Sequence, residues 1–369
     1  MKVGISSIRT KDMGINRHEL INKLQTLGHS VTYIGRDSDS NIHQDYERFQ
    51  VPFLTIPLGR SNTNPFKEIE TIIKTKQVLK ENEIDVLISY GIRTFPTMVV
   101  AARLAGVKKV LCIVNGSGRL FQLTGIKGFL VKCISYPMLW IAFLLSDSIF
   151  FQNPDDKNMI KGKGLLWKRN YETINGSGVN LEEYPFCKLE RKPVFSMISR
   201  LTGSKGVNEY IQAASYVKQK YPEASFYLIG PIDEEDFSIN MIELQKSVKN
   251  GIINLIGKVD DVRPYIIQSR IFVLPSYYPE GIPRSILEAM AMGRPIITNN
   301  SPGCRETVID GKNGFLIQPK DVKELSDKMI WMINNEDPVL AMGKYSREIC
   351  EEKFDIHKIN NLMLAKLFQ

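Results

Sequence analysis

The chain is predicted to be α/β, built as two doubly wound parallel sheets. Three observations carry that expectation. Short apolar runs rich in branched residues alternate with stretches of good helix formers, the pattern of βα units in a parallel sheet. The 369 residues are enough for two hydrophobic cores. Around Lys188–Pro193 the alternation resets, with charge followed by proline, and a second series begins.

In the first series, strand Lys2–Ile8 leads through a loop, Arg9–Asn16, to helix Arg17–Leu27, which Gly28-His29 stops before strand Ser30–Ile34. Strand Val51–Ile56, helix Pro65–Glu81, strand Asp85–Tyr90, helix Phe95–Ala105 and strand Lys109–Val114 continue it. A glycine-rich loop follows, Asn115-Gly116-Ser117-Gly118-Arg119. Next come a long apolar helix, Phe129–Leu145, and strand Ser148–Gln152. Residues 171–186 read as a last strand running into a connector.

The second series runs strand Val194–Ser199, helix Gly206–Lys220, strand Ser225–Gly230, helix Phe237–Lys249, strand Ile252–Ile256 and short helix Asp261–Gln268. Strand Ile271–Leu274 and helix Arg284–Met292 form its centre, with Pro283 suited to a helix start. Strands Ile296–Asn299 and Gly314–Ile317 and helix Val322–Asn334 complete the set. The tail, Pro338–Gln369, reads as two helices interrupted near Phe354-Asp355. The expected domains are therefore 1–187 and 188–350, with 351–369 a helix returning to the first.

Composition is that of an ordinary globular protein, with 43% hydrophobic and 24% charged residues. Its net charge of +8 is unevenly placed. Residues 1–185 hold 24 Lys and Arg against 17 Asp and Glu, and the remainder 24 against 23. A basic first half fits an anionic partner such as lipid headgroups or a diphosphate-bearing acceptor. Nucleic acid fits less well, since no recognition motif accompanies the charge. Five scattered cysteines without a C-x-x-C, and four dispersed histidines, point to a reduced cytoplasmic setting and to no metal cluster. MKVGISSIRT runs straight into a strand pattern without the apolar core of a signal peptide.

Two junctions carry the chemistry. Each has a strand, a loop of small residues and a helix start, where backbone N–H groups and the helix dipole favour a phosphate. The first is Ser199-Arg200-Leu201-Thr202-Gly203-Ser204-Lys205-Gly206, whose two cations suit a diphosphate leaving group. The second is the stretch PSYYPEGIPRSILEAMAMGRP, with Glu280 in the loop and Glu288 on the helix. Carboxylates at such a place suit hydroxyls attached to the phosphate, as on a sugar or ribose. On spacing alone, Glu288 reads more readily as an i,i+4 partner of Arg284, with Glu280 an ordinary loop residue.

The string E-G-I-P-R-S-I-L-E-A-M-A-M-G-R-P-I-I-T resembles the E-x7-E motif of retaining glycosyltransferases of family 4. R-x4-K-G at Arg200–Gly206, P-G-C-R-E-T (302–307) and D-G-K-N-G-F (310–315) extend the likeness over the second domain. The resemblance implies the GT-B fold, two Rossmann-like domains facing across a cleft. It implies that Arg200 and Lys205 hold the donor diphosphate, that Glu280 meets the donor sugar and that Glu288 binds ribose hydroxyls. Gly281, Ile282 and Pro283 would form the turn against diphosphate and sugar, and Gly257, Lys258 and Val259 would read the nucleobase. In the first domain the likeness is looser. It rests on the first strand–loop–helix start, which contains Gly14, and on I-N-G-S-G-V-N-L (174–181). Many family members carry a histidine after the strand equivalent to Lys109–Val114. This chain has Asn115-Gly116-Ser117-Gly118, whose amides suit donor or acceptor, and no first-domain base stands out.

The function implied is a retaining, metal-independent transfer from a nucleotide sugar, with a UDP-N-acetylhexosamine the best match. The acceptor implied is a polyprenyl-diphosphate-linked oligosaccharide at the inner face of a bacterial membrane. A nucleotide-sugar epimerase on the same fold and a non-catalytic membrane assembly protein are the alternatives. No G-x-G-x-x-G follows the first strand, which argues against an oxidoreductase. Asp37-Ser38-Asp39 is a D-x-D triplet, far along the chain from these loops and read as a solvated turn, so no metal is expected. The stretch Ile126–Leu145 is expected to be a core helix, with a helix lying in a membrane surface as the alternative.

Overall fold

A computed structural model describes residues 1–7, 11–36, 50–58, 65–233 and 236–368. The chain divides into two compact units, Met1–Ser177 with His357–Gln369, and Gly178–Ile356.

In unit 1 the chain runs β1 (Lys2–Ser7), α1 (Lys11–Thr26), β2 (Ser30–Gly35), β3 (Phe53–Thr55) and α2 (Pro65–Glu81). It continues through β4 (Val86–Tyr90), α3 (Phe95–Ala105), β5 (Lys109–Val114), α4 (Gly125–Leu145), β6 (Ser148–Phe151), α5 (Pro154–Gly162) and β7 (Tyr171–Thr173). The seven strands lie in the order β3-β2-β1-β4-β5-β6-β7, and every pairing is parallel. Central strands such as β4 and β5 are buried nearly throughout, as expected of a sheet covered on both faces.

Unit 2 holds β8 (Val194–Ile198), α6 (Val207–Lys220), β9 (Ser225–Ile229), α7 (Met241–Lys249), β10 (Ile253–Gly257) and α8 (Arg263–Gln268). After these come β11 (Ile271–Leu274), α9 (Arg284–Ala291), β12 (Ile296–Asn299), β13 (Gly314–Ile317), α10 (Val322–Asn334) and α11 (Glu336–Ile349). Its sheet is parallel in the order β10-β9-β8-β11-β12-β13. In both units the order reverses beside the first strand, which puts a topological switch point between β1 and β4 and another between β8 and β11. A π-helical turn, Cys350–Phe354, breaks the run near the expected place. The last helix, α12 (Ile356–Phe368), then packs on the core of unit 1 through Ile359, Met363, Leu364 and Leu367.

Several expectations change. Helix α1 begins at Lys11, so Gly14 lies within a helix and not in a loop. One interior glycine costs only about 1 kcal/mol, too little to stop the flanking residues. Helix α5 has no counterpart in the sequence reading. Asn153 caps it by accepting from the amide of Asp156, with Pro154 at its start. The change of unit falls at 177/178, not at 187/188. Residues 178–187 pack in unit 2 because Val179 and Tyr184 are buried in its core. Val179 also bridges to Asp355, and Gly178, at φ +76°, would set a Cβ only 2.6 Å from Ile356 Cα.

The core-helix expectation for Ile126–Leu145 is overturned. Of α4's 21 residues only Gly128, Leu139, Ala142 and Phe143 are buried. One side packs on α3, where Phe143 meets Phe95 edge to face at 5.9 Å, and the other side is open.

Candidate active site at the edge of the second sheet

The carboxyl ends of β8 and β11 are neighbours at the switch point of unit 2, and the loops leaving them are fastened together. Gly206, at φ +83°, opens α6, and a Cβ there would lie 2.2 Å from the Pro275 carbonyl oxygen. Only glycine lets that turn close onto the end of β11. The Tyr277 amide donates to the Ser204 carbonyl at 3.0 Å, a second tie between the loops.

From the next strand, Asn299 Nδ2 donates to the Pro275 carbonyl at 2.7 Å and Ser301 Oγ to that of Ser276 at 2.7 Å. Gly303, at φ +85°, brings the 302–304 turn so close that a Cβ would fall 2.1 Å from the Gly281 oxygen. The Glu280 loop is therefore gripped from both sides before any ligand arrives.

Within this frame Lys205 Nζ donates to Glu280 Oε2 at 2.5 Å, both side chains largely covered, and sits 5.5 Å from the centre of the Tyr278 ring. Ser276 Oγ donates to Glu280 Oε1 at 2.9 Å. Arg200 Nη1 pairs with Asp233 at 2.8 Å and stays more open, at 36% side-chain exposure. Gly281, Ile282 and Pro283 are buried in the turn itself. Pro283 flanks the helix at ψ 120°, and α9 starts at Arg284.

Glu288 lies one turn into α9 and is 8% exposed. Arg284 Nε donates to its Oε1 at 2.9 Å, and Tyr184 donates its phenolic proton to the same carboxylate. Burial raises the pKa of Glu288 above the usual carboxylate range, while Arg284 and Tyr184 pull it back down. Burial also raises Tyr184, and the Glu288 charge adds to this. Cys304, beside this loop, is pushed up to about 12 by burial and then by the Glu280 charge, which keeps its thiol protonated.

The structure thus brings Arg200, Lys205, Glu280, Gly281, Ile282, Pro283 and Glu288 to one edge of one sheet. Gly257 ends β10 at φ +79°, and Lys258 and Val259 follow it on that same edge, two strands from β8. Asn115 and Gly116 leave the carboxyl end of β5 in unit 1. There Ser117 donates to the Asp156 carboxylate, whose pKa burial raises. Gly14 belongs to unit 1 as well, inside α1. The D-x-D triplet at Asp37 and Asp39 lies outside the described residues.

Three contributors were missed in the sequence. Tyr184 falls in a segment read as connector, Asp233 in the loop after β9, and Ser276 four residues before Glu280. The G-P-I-D stretch that ends β9 was the available sign for Asp233.

Residues 185–349 match the family model for glycosyl transferases group 1. The chain is 27% identical over 300 residues to the N,N'-diacetylbacillosaminyl-diphospho-undecaprenol alpha-1,3-N-acetylgalactosaminyltransferase of Campylobacter jejuni, covering 78% of this chain and 77% of that one. It is likewise 27% identical over 331 residues to the UDP-Gal:alpha-D-GlcNAc-diphosphoundecaprenol alpha-1,3-galactosyltransferase of Escherichia coli, at 85% and 83% coverage. Among solved structures, Anabaena Alr3699/HepE in complex with UDP and glucose superposes with a TM-score of 0.80 over 100% of both chains at 17% identity. Residues 185–349 are thus a glycosyl transferases group 1 domain, in a chain that has the GT-B fold.

Proposed function

We propose that the enzyme is a retaining, metal-independent transferase that moves an N-acetylhexosamine from a UDP-sugar to a polyprenyl-diphosphate-linked oligosaccharide. It would work in surface-glycan assembly, on the cytoplasmic face of the membrane. The observation that carries this reading is the Lys205–Glu280–Ser276 chain, fixed at a switch point beside Arg200. Two relatives that cover three quarters or more of both chains are named for transfer to undecaprenyl-diphosphate-linked sugars, which supports the acceptor class.

In this reading Lys205 and Arg200 meet the donor diphosphate, and their charge counts most as the bond from the sugar to the phosphate breaks. Asp233 and Glu280 hold the two cations in place beforehand, so little reorganisation is needed when the charge develops. Glu288, held by Arg284 and Tyr184, accepts from the ribose hydroxyls. Both Glu280 oxygens are already hydrogen-bonded, which fits a carboxylate stabilising positive charge on the sugar better than one attacking it. The acceptor oxygen then bonds the anomeric carbon on the face the diphosphate leaves, and its proton passes to a departing phosphate oxygen. Asn115 and Gly116, at the edge of the first sheet, are assigned to the sugar or its acceptor; Gly257, Lys258 and Val259 are assigned to the base.

The test is a hydrolysis and transfer screen over nucleotide sugars, with and without a polyprenyl-diphosphate acceptor, repeated in EDTA. Transfer from a UDP-N-acetylhexosamine with retained configuration, unchanged by chelation, is expected. Interconversion of free nucleotide sugars without transfer would overturn the reading. A rate lost in EDTA and restored by Mg²⁺ would overturn its metal independence and turn attention to Asp37 and Asp39.

A further inference from the structure

Helix α4 is covered on one side only, and its open side is apolar. Ile126, Phe129, Leu130, Ile134, Trp140 and Ile141 are exposed, Ile126 by 82% and Phe129 by 66%. At 3.6 residues per turn these positions share one face of the helix, opposite the buried Gly128, Leu139, Ala142 and Phe143. This inverts the usual surface helix, which turns its apolar stripe inward.

The helix is also long and apolar enough to cross a membrane. Yet it joins β5 to β6, which pair in one parallel sheet from Leu111 with Ser148 to Val114 with Phe151. Both ends are thus tied to one sheet, and α3 covers its inner face. It can lie in a membrane surface but cannot span one.

The charge on the helix itself has one sign. Between Asp85 and Asp147 the sequence holds no Asp or Glu and seven Lys or Arg, of which Arg103 and Lys108 pair with Asp147 and Asp85 while Lys127 and Lys132 lie on α4. Lys127 is exposed, and Lys132 Nζ reaches back to the Leu123 carbonyl at 2.7 Å, pinning the turn that precedes the helix.

We infer that the outer face of α4 docks this protein on an anionic lipid bilayer, with its apolar stripe at the boundary between headgroups and acyl chains. Exposed apolar area and a helix that carries lysines and no acidic residue together are what an interfacial helix needs. Trp140 has the amphipathic ring that settles at headgroup depth. A second copy of the chain is the poorer occupant, because a two-fold contact through this face would set like charges against each other. The inference deepens the proposed function, since it rests on the lipid-linked acceptor for its purpose and would hold the enzyme at the surface where that acceptor lies.

The experiment uses vesicles of phosphatidylglycerol and phosphatidylcholine in equal parts, containing neither donor nor acceptor. The full chain should co-sediment with them at low salt and be largely released at 1 M salt, where the Debye length is about 3 Å. It should leave pure phosphatidylcholine vesicles mostly unbound. Phe129→Ser combined with Ile134→Ser should weaken binding roughly tenfold or more at unchanged thermal midpoint, and Lys127→Gln a few-fold at low salt only.

In a chain carrying Trp167→Phe and Trp331→Phe, Trp140 emission should be quenched by brominated acyl chains. Failure of the wild-type chain to bind at low salt would overturn the inference. So would wild-type binding by the double variant, or a concentration-dependent dimer that the double variant loses while no vesicle binding is seen. With a short-chain, detergent-soluble acceptor the double variant should transfer at the wild-type rate, and with acceptor embedded in vesicles it should be slower. If no acceptor supports transfer while vesicle binding stands, the functional reading fails and the docking surface survives it.

Discussion

Helices α9 and α4 both follow a central strand of a parallel sheet, and both are rich in apolar residues, yet they solve opposite problems. In α9 every residue from Ile286 to Ala291 is buried, and the one charged group among them, Glu288, goes inside with its partners. In α4 the apolar side chains face outward, and burial is left to four small or inward-pointing residues. Apolar composition alone therefore says nothing about which face is covered. The telling features are the exceptions to ordinary burial: a carboxylate kept from water in one helix, and large apolar side chains given to water in the other. Each marks something the fold alone does not require.

The most forceful way to break this contrast is by truncation. Leu287→Ala in α9 should cost about 2–5 kcal/mol in denaturant unfolding, whereas Leu130→Ala on the open face of α4 should stay within roughly 0.5 kcal/mol. Comparable losses would mean that α4 packs against something in solution.

Next in size is the cation at the switch point. Lys205→Ala should lower kcat on the order of 100-fold, because in the proposed function it removes a preorganised charge where the leaving group departs. A change of only a few-fold would remove Lys205 from the diphosphate site. It would leave the pair with Glu280 a structural one.

The two glutamates sharpen the contrast further. Glu280→Gln should act mainly on kcat, and Glu288→Gln mainly on the donor KM, each by about tenfold, since ribose binding is the same in substrate and transition state. Donor-varied steady-state kinetics, with single turnovers to confirm that chemistry limits kcat, decide it. The reverse pattern would turn the donor end for end in the site.

The smallest effect is one of pH. Burial raises the Glu288 carboxyl above its value in the unfolded chain. Between those two values the native state binds the extra proton, so wild-type stability falls as pH rises through that window. Glu288→Gln has no proton to lose there. The difference in thermal midpoint should shift in favour of the variant as pH climbs from below the usual carboxylate range to neutrality, and a shift the other way would refute the raised value.

Much of this was legible in residues alone, and the reasons are physical. Runs such as Ile271–Leu274 can only be buried strands in a βα alternation, so both parallel sheets could be read directly. That Arg200, Lys205 and Glu280 share one sheet edge was legible because each loop follows a strand and precedes a helix start, whereas their roles took the resemblance to propose. Tyr184 and Asp233 were not, because each reaches its partner from a distant stretch that carries no local pattern. The start of α1 was misplaced since a single glycine is a weak stop signal. The environment of α4 was misjudged because an apolar helix has the same sequence whether protein or something else covers its outer face.

The last helix carries a further consequence, for how the molecule is made. Ile359, Met363, Leu364 and Leu367 of α12 belong to the core of unit 1, yet all of unit 2, residues 178–356, is translated before them. At 5–20 residues per second, unit 1 waits roughly ten to forty seconds beside the ribosome with part of its core unfilled. Unit 2, with an uninterrupted stretch of chain, can close first. The first unit to be made is thus the last to be finished, and in that interval a nascent chain with an open apolar groove is exposed to chaperones, proteases and its neighbours.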